Sequence, residues 1–188
     1  MPQRRPDSRP RMQQAALELF TRDGYAATTA AAIAARADVT ERTFFRYFPD
    51  KREVLFDDGQ RLEHLLTDAL DAGPHVVAEA LPRALRAVAA DMEPRRKSLA
   101  QRAALIGSVP ELAERELGKL QVWTRSLTRT LTGWGVDELS AAASAEVAMA
   151  VFRAAFTRWV ADGESRKLGD LLGEAVTAVG LQWGIAEG

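Results

Sequence analysis

The sequence predicts an all-α protein, with an N-terminal three-helix domain that carries a helix-turn-helix and a larger helical bundle after it. Three observations predict this. Apolar residues recur at three- and four-residue spacings along most of the chain, and no segment shows the alternation of a half-buried strand. Prolines and glycines divide the chain into helix-sized pieces. Residues 28–51, TTAAAIAARADVTERTFFRYFPDK, read as two short capped helices joined by a tight turn.

Composition narrows the function. The chain has 188 residues, 47% of them hydrophobic, enough for one or two domains with a real core. Net charge is −1, yet residues 1–56 hold ten Lys/Arg against seven Asp/Glu and the remainder fifteen against nineteen. A mildly basic head on an acidic body suits local contact with nucleic acid. There is no cysteine, which excludes disulfides and cysteine-based metal or redox chemistry. His64 and His75 lie eleven apart without ligand spacing, and Asp57-Asp58 reads as an exposed helix face, so no metal or cofactor is expected. No convergent set of titratable groups suggests catalysis. The sequence shows no uninterrupted 18-residue apolar run and no apolar segment of the signal-peptide kind at its start. A cytoplasmic protein without a membrane partner is the default.

The elements follow in order. Residues 1–10, with three prolines and three arginines, read as a disordered basic arm from which Arg4, Arg5 and Arg9 can reach DNA. A first helix over 11–23 buries the stripe Met12, Ala15, Ala16, Leu19 and Phe20 and ends at Gly24, with Tyr25 packing back. The second, capped by Thr29, buries Ile33, Ala34 and Ala37; the turn is Ala37-Asp38-Val39. The third, capped by Thr40, runs 41–47 with Phe44 and Phe48 as anchors, and Pro49 stops it. Asp50-Lys51-Arg52-Glu53 has capping-box spacing and opens a fourth helix over 51–72, in which Leu55, Leu62, Leu66 and Ala69 keep a regular spacing. That helix is read as a rigid link, which sets the domain boundary at residues 11–56 against 57–188. Further helices are expected at 76–92, 94–108, 110–131, 137–161 and 167–183, with Pro82 shortening, kinking or starting the first of them. The penultimate helix carries Ala145, Met149, Phe152, Phe156 and Trp159 on one face and alanines on the others; the last carries Leu168, Leu171, Leu172, Ala175, Val176, Val179 and Trp183. A helix apolar over most of its girth is buried on more than one side.

Small capped helices with an aromatic anchor also occur in ordinary helical cores, so pattern alone leaves DNA binding open. The order of residues goes further. Thr29, Ile33-Ala34, Ala37, Val39-Thr40, Thr43-Phe44-Phe45-Arg46-Tyr47-Phe48 and Lys51 together resemble the N-terminal signature of the tetracycline-repressor (TetR) family of transcription factors. The resemblance implies a dimeric helical repressor that binds a near-palindromic DNA operator through its head and a ligand through its body. Two positions depart from the family pattern: Asp38 stands where glycine is usual, and Phe45 where a phosphate-bonding tyrosine is common. Ser108-Val109-Pro110-Glu111-Leu112, Arg115-Glu116 and Arg158-Trp159-Val160-Ala161 are similar to the branch whose C-terminal domain takes acyl-CoA ligands.

On this reading the DNA-binding residues are Thr29, Thr40, Arg42, Thr43, Phe45, Arg46, Tyr47 and Lys51. Arg42 and Arg46 end in forked donors suited to guanine edges; Thr29, Thr43, Tyr47 and Lys51 suit phosphates. Leu105, Leu120, Trp123, Leu127, Phe152 and Phe156 are the expected lining of an apolar or acyl-CoA ligand pocket, with Arg95, Arg96 and Lys97 at its mouth. A homodimer is expected over residues 137–183, with Val151 and Ala154 as its test positions. The alternatives are a ligand-independent DNA-binding accessory protein and, with least support, an all-helical enzyme.

Overall fold

A computed structural model describes residues 8–161 and 163–182. All regular structure among them is helical: α1 (Ser8–Asp23), α2 (Ala30–Arg36), α3 (Glu41–Tyr47), α4 (Asp58–Asp71), α5 (Val77–Met92), α6 (Arg96–Ser108), α7 (Pro110–Gly133), α8 (Glu138–Val160) and α9 (Leu168–Gln182). The chain divides into two compact units. The head comprises the chain up to Gly59 together with Gln101–Glu116; the body comprises Gln60–Ala100 and the chain from Leu117 on.

The head's helices form where the spacing predicts them. Met12, Ala15, Ala16, Leu19 and Phe20 of α1 are all buried. Gly24 takes φ +86 just beyond the helix, a conformation open to glycine because it has no Cβ. The chain then folds back, and the Tyr25 ring lies 5.1 Å from that of Phe20. The surprise is the segment 101–116. Leu105, Ile106 and Leu112 share one core with α1, α2 and α3, so the head continues into the end of α6 and the start of α7. The expected boundary at residue 57 missed this segment. It also places Leu105 in the head core, a different cluster from that of the other residues expected to line a pocket.

Two further expectations fail in this unit. The helix expected over 51–72 is broken: a single 3-10 turn spans Glu53–Leu55, and α4 begins only at Asp58. Arg9 and Pro10 belong to α1 rather than to an arm, and Arg9 donates to Asp57 Oδ1 at 2.8 Å and Oδ2 at 3.0 Å. Arg4 and Arg5 lie outside the described residues.

The body is a bundle with α8, α9 and α5 in mutual contact. Ala141, Ala145 and Ala148 of α8 are buried to 6% exposure or less, and their small side chains let neighbouring helices approach closely. Trp123, Leu127, Leu131, Met149, Phe152 and Trp159 fill the centre. Pro82 sits within α5, which is not interrupted there. Trp183, expected on the apolar face of α9, lies outside the described residues. By length and composition α8 would also be apolar enough to cross a membrane, although the sequence was read as lacking such a segment. Here one apolar face of it is core, packed against α5 and α9.

Candidate nucleic-acid interface

Two threonine caps fix the starts of α2 and α3. Thr29 Oγ1 accepts from the Ala32 N–H at 3.1 Å, and Thr40 Oγ1 accepts from the Thr43 N–H at 3.1 Å. Each satisfies a backbone donor that has no partner within the first helical turn. Between the caps, Asp38 adopts φ +53, the one positive φ of a non-glycine residue among the described residues. The Val39 N–H reaches back to Ala34 O and the Asp38 N–H to Ala35 O, which closes α2 with a Schellman motif. This left-handed step is why glycine suits the position; aspartate tolerates it better than most residues.

α3 is seven residues long, too short to persist by itself. Phe44 and Phe48 hold it, at 0% and 1% exposure with ring centroids 5.3 Å apart. What remains outward is the stripe Glu41, Arg42, Phe45 and Arg46, all exposed. No ion pair or hydrogen bond within the described residues engages the side chains of Arg42 and Arg46; Arg46 only overlies the Tyr47 ring, at 5.1 Å. Arg9 approaches the same ring at 5.4 Å. Thr43 and Tyr47 are half-buried, and Thr43 Oγ1 lies 2.9 Å from Thr40 Oγ1. Arg42, Phe45 and Arg46 thus come together on one face as expected, with Thr43 and Tyr47 at its margin and Thr29 at the exposed start of α2.

Lys51 does not join them as a free cation. Its ammonium donates to Tyr25 O at 2.7 Å, Thr28 O at 2.9 Å and Ala26 O at 3.3 Å, and lies 4.4 Å from the Tyr25 ring centre. An ammonium has three donors, and all three are occupied. Lys51 therefore ties down the loop that enters α2, and the expected phosphate contact is corrected to a structural tether. Sequence cannot distinguish the two roles, since a lysine beside a helix start suits either.

Other polar ties set the head, and sequence reasoning missed them. Asp50 Oδ1 accepts from the Arg52 and Glu53 N–H groups at 2.8 and 3.0 Å. Glu53 does not reciprocate as a capping box would; its carboxylate instead takes a two-point bond from Arg115, at 2.7 and 2.8 Å. That bond holds the Arg115 guanidinium above its ordinary pKa. Arg102 donates to Leu55 O at 2.7 Å and to Glu116 at 2.8 Å, and both arginines lie 5.0 Å from the Phe56 ring centre. The Tyr25 hydroxyl donates to Glu111 at 3.2 Å; burial, and then the Glu111 charge, push its pKa up to about 12. Glu111, Arg115 and Glu116 are among the residues whose order suggested a ligand-binding branch. In the structure they serve the head.

In the body, Leu120 and Phe156 are half-buried, while Trp123, Leu127 and Phe152 are core residues at 2%, 0% and 4% exposure. Phe152 lies 5.9 Å from both Trp123 and Phe156. The expected basic mouth is largely committed elsewhere. Arg96 donates to the carbonyls of Trp159, Ala161 and Glu164, and Arg95 bonds Asp91. Only Lys97 of the three is exposed. Val151 is 5% exposed within the core, so of the two positions chosen for a dimer contact only Ala154 faces outward.

Comparison with known proteins separates the helix-turn-helix from the rest of the chain, with residues 101–116 inside the second match. Residues 14–57 match the family described as bacterial regulatory proteins, tetR family, and residues 75–183 match the MftR C-terminal domain. Over 67 residues the chain is 37% identical to the HTH-type transcriptional regulator TcmR of Streptomyces glaucescens, a match spanning 36% of this chain and 30% of that one. Among solved structures, FadR of Thermus thermophilus, a transcriptional repressor solved in complex with lauroyl-CoA, is similar at 24% identity with a TM-score of 0.53. That match covers 91% of this chain and 92% of that one. The fatty acid degradation regulator FadR of Bacillus halodurans is similar at 18% identity and a TM-score of 0.62, over 94% and 96%. At these identities the two structures speak for the fold.

Proposed function

The chain belongs to the tetR family of bacterial regulatory proteins, and from that premise we infer that it is a dimeric, cytoplasmic repressor released from its operator by an apolar or acyl-CoA-like ligand. It acts by binding rather than by catalysis. The observation that carries the DNA half is the outward stripe of α3, where Arg42 and Arg46 are exposed and without acidic partners. Both can give two donors to guanine O6 and N7 in a major groove. Thr43, Tyr47 and Thr29 contact the flanking phosphates.

The dimer is supported by the outward surface of α8. Leu139 is 80% exposed at the start of α8, and Ala143, Ala150 and Ala154 are exposed along it. A twofold pairing through this face gives two heads and therefore a near-palindromic site. The ligand half is supported by the aromatic group Trp123, Phe152 and Phe156 with Leu120 and Leu127, and by the fold shared with a repressor solved with lauroyl-CoA. The ligand works by differential affinity: it releases DNA only so far as it binds the released conformation more tightly.

Titrating the protein–operator complex with acyl-CoAs of graded chain length tests the ligand half. Release that depends on chain length, and is weakened in Phe156→Arg, is expected. If no chain length changes operator affinity, the protein is the ligand-independent DNA-binding alternative.

A further inference from the structure

The outward stripe of α3 contains one side chain that phosphate and guanine chemistry do not account for. Phe45 is 50% exposed, whereas Phe44 and Phe48 are at 0% and 1%. Those two anchor the helix, so packing does not call for a third aromatic residue. The other large apolar side chains exposed among the described residues, Val76, Leu117, Val122 and Leu139, all belong to the body; Phe45 stands alone in the head. Its ring is not loose, because it meets the Phe44 ring edge-on at 5.5 Å and 89°. Helical spacing sets it beside Arg42, three residues before, on the exposed side of the helix that also carries Arg46. An apolar ring thus flanks two guanidinium groups without acidic partners, on a surface complementary in charge to DNA.

A phenyl ring carries no donor or acceptor for a phosphate. In the major groove the apolar feature open to it is the C5 methyl of thymine, which cytosine and both purines lack. We propose that Phe45 is a specificity-determining residue that reads a thymine C5 methyl beside the bases contacted by Arg42 and Arg46. This rests on the reading of α3 as the DNA-recognition helix. Each half-site then contains one thymine whose methyl group, separately from its pairing edge, adds to affinity. Packing of the ring on sugar or phosphate would add affinity at every sequence and depend on no methyl.

The test uses the full chain and a duplex selected by it from a random-sequence pool. Each thymine of that duplex is replaced in turn by deoxyuridine, which removes the methyl and nothing else. The expected result is one position per half-site where affinity falls about fourfold, the effect of burying one methyl-sized group. The fall disappears in Phe45→Ala, which binds the thymine duplex more weakly and does not distinguish deoxyuridine. In Phe45→Leu, which keeps an apolar group, part of the distinction remains. A flat deoxyuridine scan with the unaltered chain overturns the proposal, and so does a methyl effect that persists undiminished in Phe45→Ala. In either case Arg42→Ala, if it still weakens binding, leaves α3 as the reading helix. If selection enriches no sequence, the recognition-helix reading falls and the methyl contact with it.

Discussion

The head and the body are both helical, but they are held together differently. The head joins helices of seven residues through polar ties that cross long stretches of sequence: Lys51 to the carbonyls of 25–28, Glu53 to Arg115, Arg102 to Leu55 and Tyr25 to Glu111. The body is built chiefly of helices of up to 24 residues packed through leucine, alanine and aromatic side chains, to which long-range bonds such as Arg96 to Trp159 O and Ser126 to Glu63 are added. Hydrogen bonds are directional and fix positions, whereas dispersion and hydrophobic burial tolerate repacking. On the proposed function, presenting side chains to base edges gains from the first kind of bonding, and accepting a ligand gains from the second.

The largest way to break this comparison is to remove an apolar anchor from each unit. Phe44→Ala and Trp159→Ala delete side chains at 0% and 1% exposure and should each cost about 3–5 kcal/mol by urea denaturation. In the head the loss should also weaken DNA binding, since only Phe48 is left as an anchor of that size. Equal DNA affinity for Phe44→Ala would show that Phe48 and the polar ties suffice to fix α3.

Lys51→Met is the next test. It strips the donor from three carbonyls and should lower stability by about 1–3 kcal/mol. Because the ammonium is already occupied within the protein, the salt dependence of DNA binding should keep its slope. A slope flattened by about one, with unchanged stability, would restore Lys51 as a phosphate contact.

The smallest effect lies at alkaline pH. The Tyr25 phenol ionises near 10 when free and near 12 in the fold, so the fold favours its neutral form. That contribution is whole below pH about 10 and is lost as pH rises from about 10 to about 12, because the unfolded chain ionises first. Tyr25→Phe should remove this part of the alkaline decline in melting temperature while leaving the neutral-pH profile nearly parallel. An unchanged decline would mean that the fold does not hold the Tyr25 phenol neutral.

Much of the architecture was legible because local chemistry decides it. Thr29 and Thr40 mark helix starts through their hydroxyls, and the bounds of α3 fall at residues 41 and 47 as expected. The turn at Asp38 was legible from its position, and φ +53 bears it out. What escaped depends on partners far along the chain. Leu105, Ile106 and Leu112 are apolar helix residues of a kind that suits any core, and only the fold assigns them to the head. The break before α4 was hidden because Leu55, Leu62 and Leu66 keep regular spacing across it. Lys51 and Arg96 look like free cations until the carbonyls they bind are known.

The central claim is that α3 reads sequence through Arg42 and Arg46 while the cations around it serve the fold. The most direct test compares sequence preference and operator affinity of Arg42→Ala and Arg46→Ala with those of the unaltered chain. Each substitution should cost about 1–3 kcal/mol and relax preference at one position of each half-site, with thermal stability nearly unchanged because neither side chain makes an ion pair or hydrogen bond within the head and Arg46 only overlies the Tyr47 ring. Unchanged affinity and unchanged preference in both variants would contradict the account.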